Sequence, residues 1–137
     1  MNINLISSFT TAMVSEGITG VISLAKKQRN EKFAFEFSGY IKINKDGFYT
    51  FYTVSDDGSK LYIEDTEVVD NDGNHGAEEK SGKAALKKGW HKIKVTYYDS
   101  GGGNDLKVLT ATGSGKKRRT SSLYFISLII KYNIIHA

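Results

Sequence analysis

The feature that most constrains this chain is a period-two alternation of side-chain character, broken at short intervals by Gly, Asn and Asp. In Phe33-Ala34-Phe35-Glu36-Phe37 the aromatic rings take alternate positions, and the phase resumes at Ile41 and Ile43 after Gly39. Successive strand residues point to opposite faces, so this pattern lines one sheet face with apolar groups. Lys45-Asp46-Gly47 reads as a turn in which Asp-Gly supplies the positive φ of a tight hairpin. Residues 48–54, rich in aromatic and β-branched side chains, form its return strand. After the polar break at 55–59, residues 60–63 and 67–69 make a short hairpin across Glu64-Asp65-Thr66. Residues 90–98 alternate again, with Ile93, Val95 and Tyr97 on one face and Lys92, Lys94 and Thr96 on the other. A flexible loop at 100–104 leads to one more strand at 106–109. Residues 78–88 are rich in Glu, Lys and Ala, but Gly82 and Gly89 argue against a helix, and the expectation is a loop entering a strand at 83–86. Residues 18–29 read as a strand followed by a loop, or as a helical turn. Six or seven short strands between such turns predict an antiparallel sandwich or barrel.

Length and composition narrow the function. The 137 residues suit one domain with a real core. With no Cys there is no disulfide scaffold, thiol nucleophile, iron–sulfur centre or Cys-based zinc site, and with no Pro the turns fall to Gly, Asn and Asp. The formal charge of +4 comes from one run, Lys116, Lys117, Arg118 and Arg119, without which basic and acidic residues balance. A single short run lacking interleaved aromatics is a solvated loop, so no nucleic-acid partner is expected. No stretch approaches the roughly 18 to 20 apolar residues of a membrane-spanning helix. Residues 1–14 have no basic lead and no small-residue cleavage site, so they do not read as a signal peptide. The apolar residues from Leu123 onward, interrupted by Lys131, Asn133 and His136, read as a strand or a sticky tail rather than an anchor.

The order of these segments carries a resemblance. Phe37-Ser38-Gly39-Tyr40-Ile41-Lys42-Ile43 precedes Asp46-Gly47-Phe48-Tyr49-Thr50-Phe51 and then Ser55-Asp56-Asp57-Gly58-Ser59-Lys60-Leu61-Tyr62-Ile63. Val68-Val69-Asp70-Asn71-Asp72-Gly73 and Leu86-Lys87-Lys88-Gly89-Trp90-His91-Lys92-Ile93-Lys94-Val95 follow. Together they resemble the PA-14 domain, a β-sandwich module of bacterial glycoside hydrolases, glycosyltransferases, proteases and yeast adhesins. The resemblance implies an all-β, antiparallel, jelly-roll-like β-sandwich as a single domain over residues 17–125. Residues 1–16 are then an N-terminal extension and 126–137 a C-terminal tail of unknown role. It departs from the family at Glu64-Asp65, where Asp-Gly is usual. It also implies an extracellular or cell-surface location.

Adjacent Asp56 and Asp57 on a Gly-supported turn can converge on a hard cation such as Ca²⁺, which takes oxygen ligands in irregular geometry. In the adhesins that this sequence resembles, the paired Asp binds Ca²⁺ through a cis peptide. A later Asn completes the site, and its position falls on Asp99 here. Asp and Gly in such a turn equally cap backbone N–H groups with no metal, and the residues alone leave both readings open. The cluster Asp70-Asn71-Asp72-Gly73-Asn74-His75 lacks EF-hand spacing and reads as a turn, from which His75 can hydrogen-bond a ligand. Trp90 and Tyr98, out of phase with Ile93 and Val95, are candidate surface platforms for sugar rings, and His91 reads as a strand histidine. Asn104, in the loop 99–105, is a further candidate for sugar contact. No paired catalytic carboxylates, nucleophile elbow, phosphate loop or metalloprotease motif is present, so no catalysis is expected. The expectation is a non-catalytic module recognising a glycan or polysaccharide through the loops 55–59, 70–75 and 99–105. The alternative is a structural domain packing against an adjacent catalytic domain with no ligand of its own.

Overall fold

The structure, a computed structural model, describes residues 11–19, 22–25, 27–113, 115–119 and 125–135. The opening stretch 1–10 of the N-terminal extension, and His136, lie outside the described residues. Among the described residues ten strands follow in chain order: β1 (Thr11–Thr19), β2 (Phe33–Ile43), β3 (Gly47–Asp56), β4 (Ser59–Ile63), β5 (Thr66–Asn71), β6 (Glu78–Leu86), β7 (Gly89–Asp99), β8 (Asp105–Thr112), β9 (Arg118–Arg119) and β10 (Phe125–Ile135). They form a six-stranded sheet in the order β1-β10-β2-β7-β4-β5 and a four-stranded sheet in the order β6-β3-β8-β9. All the strand pairs are antiparallel, which makes the fold an all-β sandwich. No helix among the described residues is long and apolar enough to cross a membrane.

The period-two rows meet between the sheets. Phe33, Phe35, Phe37, Ile41 and Ile43 from β2, Ile93, Val95 and Tyr97 from β7, and Phe51 from β3 are all buried in one cluster. Phe33, Phe35, Tyr97 and Tyr132 pack ring against ring, with Phe35 and Tyr132 centroids 4.9 Å apart. Burying each such ring fully contributes about 1.5 to 3 kcal/mol.

Several expectations change on contact with the fold. Lys45-Asp46-Gly47 is not a hairpin turn: β2 and β3 belong to different sheets, so the segment arches between them. Gly47 is not among the positive-φ residues, and Asp46 Oδ1 instead accepts the Lys88 N–H at 2.7 Å. The connection from β4 to β5 is tighter than expected, with Glu64 and Asp65 at φ 50° and 66°. A two-residue turn with both φ positive matches the twist of a hairpin, so these side chains take a conformation usually left to Gly and Asn. β6 starts at Glu78 rather than near 83, because β3 offers it partners from Gly47 to Ser55. Gly82 has a packing reason there, since a methyl group on it would overlap the Val68 carbonyl of the neighbouring β5. Where residues 18–29 are described they follow the first reading: Ile18 and Thr19 close β1, and residues 22–25 and 27–29 lie in no helix or strand. The apolar C-terminal segment is a strand, and β10 sits between β1 and β2.

Candidate functional site

Toward one end of the sandwich the interior turns polar. Thr53 and Ser55 on β3, Ser59 on β4 and Asn71 on β5 are all buried. Ser59 Oγ donates to Thr53 Oγ1 at 2.9 Å, and Ser55 and Ser59 share a hydrogen bond at 2.7 Å. Asn71 Nδ2 donates to the Glu78 carbonyl at 2.8 Å and lies within reach of Thr53 and Ser55. This layer fastens the start of β4 and the end of β5 to the opposite sheet, and so fixes the loops above it.

Those loops meet at Asp57. Asp57 and Gly58 carry the chain from β3 in one sheet to β4 in the other, and the Asp56–Asp57 peptide is cis. Asp57 Oδ1 accepts the His75 N–H at 3.0 Å, while Oδ2 accepts the N–H and hydroxyl of Ser100 at 2.8 and 3.0 Å. One carboxylate therefore holds the β5–β6 and β7–β8 connections. Asp99 Oδ2 accepts the Lys32 N–H at 3.1 Å, which ties in the approach to β2. Glu31 and Asn30 in that approach bind Gly102 N–H at 3.1 Å and Asn104 Nδ2 at 2.6 Å.

One carboxylate oxygen from each of Asp56, Asp57 and Asp99 lies within 4.8 Å of the other two. Burial first, then the neighbouring Asp57 and Asp56 charges, push Asp99 up to about 6, against a single opposing hydrogen bond from Lys32. Asp56 is also raised, by burial and then by the Asp57 charge. Asp99 Oδ1 is buried without a hydrogen-bond partner. Three carboxylates crowded together, one of which has a buried oxygen with no hydrogen-bond partner, fit the donor set of a divalent cation such as Ca²⁺.

The other candidates divide. His75 belongs to this end: its Nδ1 and Nε2 face the carbonyls of Gly76 and Asn71 at 2.8 and 3.0 Å. Carbonyl oxygens only accept, so the protonated ring is the form that satisfies both contacts. Burial works against that charge, but the two carbonyls, Glu78 and Asp57 outweigh it and raise the pKa. Asn104 lies on the same rim, its Oδ1 receiving Lys27 Nζ at 2.9 Å. Trp90 does not join them, because it and Asp99 stand near opposite ends of the 11-residue β7, roughly 30 Å apart. Tyr98 is not a surface platform. It is fully buried, its hydroxyl donates to Asn74 Oδ1 at 2.9 Å, and its ring lies against Gly58. The loop carrying Asn74 folds over the end of β7, so alternation stops reporting exposure there. The anchors Lys32 and Ser100 escape sequence reasoning because Lys32 acts through its backbone N–H and Ser100 through its N–H as well as its hydroxyl, and no side-chain pattern reveals a main-chain donor.

Fold and loops define a β-sandwich module with an acidic cluster at one end. A family model described as the PA14 domain matches residues 16–123, and the chain belongs to that family. The anti-sigma-I factor RsgI3 of Acetivibrio thermocellus is 35% identical over 91 residues, covering 65% of this chain and 14% of its own length. A solved anti-sigma factor domain-containing protein is 26% identical with a TM-score of 0.69, over 80% of this chain and 41% of that one. The PA14 sugar-binding domain of an RTX adhesin shares the fold at a TM-score of 0.61 and 24% identity, over 74% of this chain and 59% of that one. The chain thus spans less than half the length of both anti-sigma relatives.

Proposed function

We propose that this PA14 domain is a non-catalytic, calcium-assisted glycan-binding module acting outside the cell or at its surface. The observation that carries the reading is the convergence of Asp56, Asp57 and Asp99, with the buried Asp99 Oδ1 lacking any partner. These three residues would hold Ca²⁺, and the ion would supply hard coordination positions for sugar hydroxyls. The protein's own contribution is preorganisation. Asp57 fixes two loops at once, and Gly103 keeps the Asp56 carboxylate open, since a Cβ there would sit 3.3 Å from Asp56 Oδ2. The sugar-binding domain of the RTX adhesin, with the same fold, supports the choice of ligand. The anti-sigma relatives add a signalling protein to the hosts such a module serves, beside carbohydrate-active enzymes and adhesins.

The competing reading is a structural accessory domain, packing against a catalytic domain with no ligand of its own. It is favoured by Asp57, which already receives three hydrogen bonds within the protein. A glycan array probed with calcium and with EDTA separates the two. Calcium-dependent signals lost in Asp56→Ala support the binding module, and a flat array from a cooperatively folding protein supports the accessory role.

A further inference from the structure

The outer face of the six-stranded sheet carries a second chemical pattern, far from the acidic cluster. Ile93 and Val95 point inward on β7, and Phe37, Ile41 and Ile43 do so on β2, which leaves the intervening residues facing out. There Tyr40 stands opposite Lys92, and Lys42 opposite Trp90. One row further, Lys94 stands opposite Tyr62 of β4, with its Nζ 4.8 Å from the centre of that ring. Aromatic rings and lysines therefore alternate across three adjacent strands. Tyr40 and Trp90 are 47% and 44% exposed, among the largest apolar surfaces the described residues show to solvent. They are diagonal neighbours, a relation that places side chains roughly 7 to 8 Å apart.

We infer that this face is a ligand surface for an acidic glycan, a chain of uronic-acid sugars, and that it works without calcium. Tyr40 and Trp90 would pack on the apolar faces of sugar rings, as exposed aromatic platforms do. Lys42, Lys92 and Lys94 place ammonium groups beside those rings, where each meets a carboxylate as a point charge. Asp65, 2.9 Å from Lys92 Nζ, and Glu67, opposite Tyr62, border the patch. These carboxylates accept hydrogen bonds from sugar hydroxyls but interrupt the continuous basic track that a nucleic-acid backbone needs. Three lysines gathered among the rings on one face give a ligand carboxylate more charge to meet than a neutral sugar could use, with Lys92 and Lys94 already held in place by Asp65 and the Tyr62 ring. The surface is independent of the loop site, which lies at the other end of β7.

The protein has a single tryptophan, Trp90, so its fluorescence reports this surface directly. The probe is a hexameric oligomannuronate, titrated in EDTA, with the same oligosaccharide reduced at its carboxyls as control. The expected result is a saturable change in Trp90 emission that weakens as salt is raised. Tyr40→Ala and Lys92→Gln should each weaken binding by about fivefold, and Asp56→Ala should leave it unchanged. The reduced oligosaccharide should not saturate the signal. Both substitutions lie on an exposed face, and a thermal melt of each variant confirms the fold. No saturable change with the native protein overturns the inference, as does equal binding of the reduced oligosaccharide. Tighter binding of a single-stranded oligonucleotide would make it a nucleic-acid surface instead. A signal that needs calcium, or that disappears in Asp56→Ala, would assign the ligand to the loop site.

Discussion

Asp57 Oδ2 accepts two hydrogen bonds from Ser100, one from the backbone N–H at 2.8 Å and one from the hydroxyl at 3.0 Å. With the His75 N–H on Oδ1, a single buried carboxylate joins the crossover between the sheets to two loops. Hydrogen bonds to a charged group contribute about 1.5 to 3 kcal/mol each and are not additive. Asp57→Ala should therefore lose about 3 kcal/mol or more in urea unfolding, and Ser100→Ala, which keeps its N–H, about 1.5 kcal/mol. Equal losses would show that the hydroxyl, not the carboxylate, organises the loops.

The buried Asp99 sets a pH dependence. Its pKa of about 6 in the fold exceeds the ordinary 3.8, so the folded protein holds that proton more tightly than the unfolded chain between those values. The stabilisation is present below about pH 4 and is lost as pH rises through 6, because the native state binds more protons in that window. In EDTA, the Asp99 contribution should make wild type lose more stability than Asp99→Asn between pH 4 and 7 by denaturant unfolding. Parallel pH profiles for the two proteins would contradict this. Saturating calcium should flatten the difference, since the ion takes over the role of the proton.

Gly82 and Gly47 make a matched pair. A methyl group at Gly82 would overlap the Val68 backbone carbonyl, which cannot swing aside, whereas one at Gly47 meets nothing within 4 Å. Gly82→Ala should cost about 2 to 4 kcal/mol by pushing β5 and β6 apart. Gly47→Ala should be neutral or stabilise by about 0.5 kcal/mol through the unfolded state. Chemical denaturation of both variants checks the contrast.

At Asp65, φ is 66° and the carboxylate holds Lys92 Nζ at 2.9 Å on an exposed turn. An exposed ion pair is screened by water and contributes little, while Gly takes positive φ without steric cost. Asp65→Gly should raise the melting temperature by a few degrees, about 0.5 kcal/mol, despite removing the ion pair. A lower melting temperature would mean that the pair outweighs the turn.

Much of the fold was legible because alternation maps directly onto burial wherever a strand is covered on one face only. Phe33, Phe35, Phe37, Ile93 and Val95 behave in this way. Tyr98 does not, since a loop covers its outer side as well. Which strands share a sheet was hidden. Asp46-Gly47 suits a hairpin or an arch equally, and only the pairing of β2 with β7 decides between them. At the site, Asp56, Asp57 and Asp99 were readable from the family resemblance and do converge. Their anchors were not, because Lys32 and His75 reach them through main-chain N–H groups and Ser100 through its N–H beside its hydroxyl.

The central claim, that the three carboxylates hold calcium for a glycan, is tested most directly by thermal unfolding with and without the ion. An ion that binds only the folded state stabilises it by about 2.7 kcal/mol at a hundred times its Kd. Wild-type protein at pH 7 in about 5 mM calcium, roughly 5 to 50 times the Kd of extracellular calcium modules, should melt several degrees higher than in EDTA. Asp56→Ala should melt at the same temperature in both. A wild-type melting temperature unmoved by calcium at that concentration would contradict the account.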